Sequence, residues 1–275
     1  MLDLKKLNLS LKEALDRVND GEVILLDNKT YFEKIELTKK NITLIGQENT
    51  KISFGAHSGM IIPSNLGGDG VKTFTTTTSA TFRVKEGADG FKAFGITFEN
   101  SYKMGNDTKG AQAVAFKSEI NDLSIDNCKF LGAQDTLYID LGKNNKINSS
   151  YIEGDVDFIF GSADCTFNNC EIVGLNKDNV FFTAPSTYHD NKKGFHFKYC
   201  IFKTDAPKTY LGRAWYPSGA KKPVYPRLIL KKCKLMGNIE LDLIQMNPTD
   251  KRIYELRIKN SLLNNNELNL DIVKK

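Results

Sequence analysis

Two amides and two carboxylates recur along this chain at one interval. Gln112 and Gln134 lie 22 residues apart, and so do Asp135 and Asp157. A period of twenty-odd residues is one turn of a solenoid, and residues one turn apart stack at the strand spacing, roughly 4.8 Å. Two carboxylates held that close cannot both ionise freely, so one keeps its proton while the other stays anionic. The protonated member can donate to a leaving group and the anionic member can attack. Two primary amides beside them are neutral donors suited to an oxyanion that develops during acyl transfer. Downstream, the segment YLGRAW supplies a fixed cation, Arg213, and the sole tryptophan, Trp215. An arginine beside a carboxylate orients it and keeps it ionised, and an indole on a cleft rim offers a flat apolar face to a sugar ring. The three histidines, His57, His189 and His196, fall outside these segments. They read as surface or loop residues, and with no GxSxG present the chemistry rests on the carboxylates.

Such a site needs elements that repeat. Strand-like words end in a small residue at Ser101, Cys128, Ser150, Cys170, Cys200, Cys233 and Ser261, with steps of 27, 22, 20, 30, 33 and 28. Fixed strands with variable loops give this ladder, because insertions are tolerated only outside the strand core. The extra length falls in polar stretches at 101–110, 177–194 and 216–226. Apolar runs at 23–26, 42–45 and 158–160 fit short buried strands. The expected fold is all-β, a single-stranded right-handed parallel β-helix, the hand favoured for parallel crossovers. No linker interrupts the repeat, so residues 1–275 are expected to form one domain. A helical cap is expected at about 9–20: Ser10 to Glu13 is a capping box, with Leu11, Leu15 and Val18 on one face, and Asp20-Gly21 stops it. The segment 262–275 is polar with scattered leucines and reads as a loosely packed tail. By alternation, at most one of Phe158 and Phe160 faces a cleft. The threonines at 75–78 read as a β-prone tract without chemistry.

The net charge of +5 suits an anionic polymer, but the lysines are scattered and fit a solvated basic surface equally. No Lys/Arg stripe interleaves with aromatics along the sequence, which disfavours nucleic acid. Four of the five cysteines sit on the ladder, with Cys165 near the Asp157 segment, and they read as buried thiols. No CxxC pair suggests zinc. The first ten residues lack a secretory apolar run, and no segment approaches membrane-span length. With reduced thiols, these features point to a soluble cytoplasmic protein, a monomer with no membrane partner.

Taken together, the segments QAVAF from Gln112, LGAQDTLY around Gln134 and Asp135, YIEGDVDFIFG around Asp157, and LGRAW around Arg213 resemble the pectin methylesterase (pectinesterase) family, carbohydrate esterases built on the right-handed parallel β-helix. Weaker likeness extends over most of residues 10–240. The resemblance implies hydrolysis of methyl esters of galacturonan or oligogalacturonides, releasing methanol, without metal or cofactor. It implies Asp157 as nucleophile, Asp135 as general acid then base, Gln112 and Gln134 as oxyanion donors and Arg213 as the anchor of Asp157. Trp215, with Tyr138 and Phe160, would line the sugar site. The chain departs from the family in three places. Ala214 stands where LGRPW carries a proline of fixed φ. Asp155, two residues before Asp157, would share its face on a regular strand and raise its pKa. No later tryptophan follows Trp215, in a region that resembles the family poorly; with a shorter opening strand and no secretory signal, this suggests an enzyme for short, imported oligogalacturonides. At this level an esterase or thioesterase with another substrate, or a non-catalytic carbohydrate-binding β-helix, remains open.

Overall fold

The computed structural model describes residues 2–7, 9–103, 112–220, 222–244 and 253–274. Most of the polar stretch 101–110 lies outside them. Short parallel strands wind into a right-handed β-helix. One coil runs through Asn145–Asn148, Tyr151–Gly154 and Ile159–Gly161, the next through Cys165–Asn168, Glu171–Gly174 and Val180–Pro185. The third strand of each coil joins an eight-stranded sheet that runs from Ile35–Leu37 to Ile239–Ile244, and the other strands form a nineteen-stranded sheet.

The coil turns sharply between its first and second strands because one residue there adopts a left-handed backbone. Asn127, Ser149, Asn169, Tyr199, Lys232 and Asn260 all have φ between 45° and 55°, and the three asparagines are of a type that tolerates it. The small residue of the ladder follows each corner. Ser150 Oγ accepts from the Cys128 N–H and Ser261 Oγ from the Cys233 N–H, each at 3.1 Å. The Cys200 sulfur accepts from the Cys170 N–H at 3.4 Å. All five cysteines are free and buried. The first expected rung is corrected: Lys129 pairs with Thr97, which puts Ile96 rather than Ser101 beside Cys128. Ser101 lies past the far end of the Thr97–Asn100 strand.

Inward side chains fill the coil with stacked aromatics, Phe82 on Phe116 at 5.8 Å and Phe98 on Phe130 at 5.6 Å. The capping helix spans Leu11–Arg17 with the Ser10/Glu13 box formed, and it buries Leu11, Ala14 and Leu15. Glu33 accepts from the Leu11 and Lys12 N–H groups, fixing the helix start on the first coil. At the other end the polar tail is a strand. Asn266–Lys274 pairs antiparallel with Tyr254–Leu263, and Leu268, Leu270 and Ile272 pack on the core. Its leucines looked scattered because they alternate at strand period.

Candidate active site

The eight-stranded sheet carries a cleft of about 360 Å³ on its outer face, lined by Gln112, Gln134, Asp135, Asp157, Arg213 and Trp215 among others. Its floor is set by register. Lys117 pairs with Tyr138, Tyr138 with Phe160, and Phe160 with Ala184, so one outward row climbs the sheet coil by coil. Tyr138 stacks on Phe160 with centroids 4.0 Å apart. Trp215 meets both edge-on at 6.3 and 5.6 Å. Phe158 instead faces the core, so one phenylalanine of the pair reaches the cleft.

The aspartates occupy the turns that lead into this sheet. The Asp135 N–H donates to the Val156 carbonyl and the Leu137 N–H to the Phe158 carbonyl, which stacks Asp135 on Asp157 one coil later. Both hold a left-handed backbone, at φ 66° and 52°. Gly154 makes that turn possible, since a Cβ there would lie 2.5 Å from the Phe158 ring and 2.6 Å from the Ala133 carbonyl. The Ala113 N–H donates to the Gln134 carbonyl, so the step is still 22 at Gln112. Ala115 and Phe116 then share the Thr136 carbonyl, a bulge after which Phe116 pairs with Leu137 at a step of 21.

Asp135 is buried, and burial followed by the charge of Asp157 pushes its carboxyl well above the usual range; Gln134, hydrogen-bonded to it, pulls the other way. Burial also raises Asp157, while Arg213 opposes that rise. The guanidinium grips both Asp157 oxygens, with Nε to Oδ1 at 2.7 Å and Nη2 on Oδ2. It also lies 4.7 Å over the Phe181 ring. Of the two carboxylates, Asp135 is therefore the one pushed further towards its protonated form. The strand expected through Asp155 is a turn, so Asp155 and Asp157 do not share a strand face. Asp155 bonds Lys177 at 2.7 Å, and its charge is the smallest of the influences on Asp157. Without the proline, the backbone after Ala214 is held by the Trp215 N–H donating to the Pro185 carbonyl at 3.0 Å.

Two participants escaped the sequence reading. Lys117 is 1% exposed, yet its ammonium lies 4.1 Å from the Tyr138 ring centroid. It bonds Asp140 at 2.8 Å, Glu119 at 3.1 Å and the Thr77 hydroxyl at 2.8 Å. Thr76 and Thr77 form a wall of the cleft, in place of the inert tract expected at 75–78. The signal for Lys117 was present, since it stands 21 residues before Tyr138, nearly the interval that exposed the aspartates. His57 and His189 lie outside the cleft. His196 is on a strand of the other sheet, where burial and then nearby lysines push it down to about 4. Among the described residues no group of three or more His, Cys, Asp or Glu could hold a metal ion.

This geometry gives paired carboxylates of unequal acidity, a clamped anion, neutral amide donors and an aromatic floor on the outer face of a β-helix. The Pectinesterase family model matches residues 2–240, and the chain belongs to that family. It is 40% identical over 139 residues to pectinesterase 31 of Arabidopsis thaliana, covering 50% of this chain and 41% of that one. It is 32% identical over 211 residues to the probable pectinesterase A of Neosartorya fischeri, covering 74% and 61%. The chain thus spans about half the length of these curated relatives. The solved pectin methylesterase of Yersinia enterocolitica superposes with a TM-score of 0.75 at 25% identity, covering 94% of this chain and 92% of that one.

Proposed function

We propose that this chain is a pectin methylesterase-like carboxylic ester hydrolase acting on methyl-esterified galacturonan or its oligomers. The observation that carries the reading is the stacked pair, a buried Asp135 one coil from an Asp157 clamped by Arg213. Asp157 attacks the C6 ester carbonyl, and the amides of Gln112 and Gln134 receive the oxyanion. As the carbon–methoxy bond breaks, Asp135 gives its proton to the departing oxygen and methanol leaves. The newly ionised Asp135 then takes a proton from water, whose oxygen attacks the acyl anhydride and frees Asp157. Tyr138, Phe160 and Trp215 stack against the sugar. Neither a metal nor a cofactor enters these steps, and the chain acts as a monomer.

Short oligomers in a reducing compartment are the proposed setting. Five unpaired, buried cysteines support it, since disulfides are rare in the cytosol. No helix among the described residues is long and apolar enough to cross a membrane. Methanol release from methylated pectin and from methylated oligogalacturonides tests the reaction. Asp157→Ala should lower kcat about 10⁶-fold, the scale for removing a covalent nucleophile, with the fold intact by circular dichroism. Equal release by the variant would exclude Asp157 as nucleophile.

A further inference from the structure

The nineteen-stranded sheet, away from the cleft, carries a feature the proposed reaction does not use. Lys198 pairs in register with Lys231, and Lys231 with Lys259. The three side chains therefore stack across successive coils at the strand spacing, roughly 4.8 Å. Like charges directly opposite one another on a sheet are destabilising. Among the described residues none of the three meets a carboxylate, although Glu171, Glu255 and Asp271 are nearby and engaged by Lys203, Arg227 and Arg257. The field of this row reaches His196 on the adjoining outward row, which Lys198 and Lys231 help to keep neutral after burial has done most of the work.

The corner beside the row is equally unusual. Tyr199 holds φ 55° where three other corners use Asn127, Asn169 and Asn260 and two use Ser149 and Lys232. A bulky residue is disfavoured in that conformation, and Tyr199 is 53% exposed, so core packing does not explain it. The Lys232 ammonium lies 5.4 Å from its ring centroid. Adjacent to the row, a groove of about 430 Å³ is lined by Lys231, Lys259, Asn260, Asn269 and Asp271, the last facing Arg257 at 3.7 Å.

We propose that Lys198, Lys231 and Lys259, with Tyr199, form a non-catalytic binding surface for a polyuronate chain. Ammonium groups meet the carboxylates, and the phenol ring meets a sugar face. The choice of a uronate over another polyanion rests on the pectinesterase reading, because the reaction turns neutral esters into carboxylates. The surface would hold de-esterified product, polymer or oligomer, outside the cleft.

The test uses fully de-esterified polygalacturonate, which carries no scissile ester, in affinity electrophoresis. Wild type should be retarded. Tyr199→Asn, which places there the residue type of three other corners, should be at least as stable to heat yet bind about tenfold more weakly, a change of ~1.4 kcal/mol. Lys198→Ser combined with Lys231→Ser and Lys259→Ser should lose retardation. Both variants should release methanol from methylated oligomers at the wild-type rate. Unchanged retardation in the variants, or equal retardation of wild type by heparin or single-stranded DNA at the same salt, would overturn the uronate surface. Absence of methanol from wild type would instead overturn the esterase reading, and that arm is read independently of retardation.

Discussion

At the scale of single residues, Asp135 sets a pH signature. Its carboxyl keeps a proton in the folded chain far above the range where the unfolded chain releases it. Folded and unfolded states bind equal protons below the ordinary carboxylate pKa of about 3.9. As pH rises from there through the raised folded pKa, the unfolded state loses its proton first, so stability falls. Asp135→Asn removes this drain. Thermal melts should show little change in Tm near pH 3.5 and a stabilisation that grows towards pH 8, while methanol release is lost. A stabilisation that shrinks with rising pH would mean Asp135 is ionised at neutrality. Lys117 acts through others, and its substitution has a different signature. Lys117→Met leaves Asp140 without its cation, while Arg83 still holds Glu119; breaking such a buried pair costs about 3 kcal/mol, and the change unseats Tyr138 and Thr77. KM should rise several-fold with kcat nearly kept, and Lys117→Arg should restore it. Trp215 is the sole tryptophan, so its emission reports the platform directly; an unshifted spectrum in the methionine variant would show that Lys117 does not position the floor.

At the scale of elements, what was legible is what repeats. Gln112, Gln134, Asp135 and Asp157 could be found because coil length sets their interval, and the Ser10/Glu13 box because capping is local chemistry. Lys117 was passed over because a lysine in a strand reads as solvated until the register puts it under Tyr138. Ser101 was misplaced because its word resembles the ladder words, and only strand pairing separates a corner from a strand end. The basic row of Lys198, Lys231 and Lys259 is invisible in a linear scan, since its members lie about thirty residues apart and are assembled by the coil. The turn from 154 to 157 is the element most sensitive to a single atom. Gly154→Ala places a methyl against Phe158 and the Ala133 carbonyl. Such overpacking typically costs 1–3 kcal/mol and here displaces Asp157 as well. The variant should melt several degrees lower and lose kcat more than KM; a silent substitution would show that the turn yields freely.

At the scale of the whole molecule, the two ends of the coil stack are closed by different means. The Leu11–Arg17 helix lies across the first coil, and the Asn266–Lys274 strand closes the last. Removing 264–275 exposes one edge of Tyr254–Leu263 and the core surface that Leu268, Leu270 and Ile272 cover. The truncated chain should keep its cleft residues yet associate in a concentration-dependent way, seen as a growing scattering mass by light scattering. A truncated chain that stays monodisperse at high concentration would show that the hairpin is not needed to close that end.

The direction of that last strand has a consequence of its own. Among the described residues every other pairing of strands between coils is parallel, so a bare terminal coil would be a template on which the opening coil of another copy could continue the winding, copy after copy, as a fibre grows. The closing strand runs backwards and offers the wrong polarity for that continuation. Its exposed Glu267, Asp271 and Lys274 further discourage an added strand. A fold whose geometry is that of a filament is in this way kept to the length of one molecule.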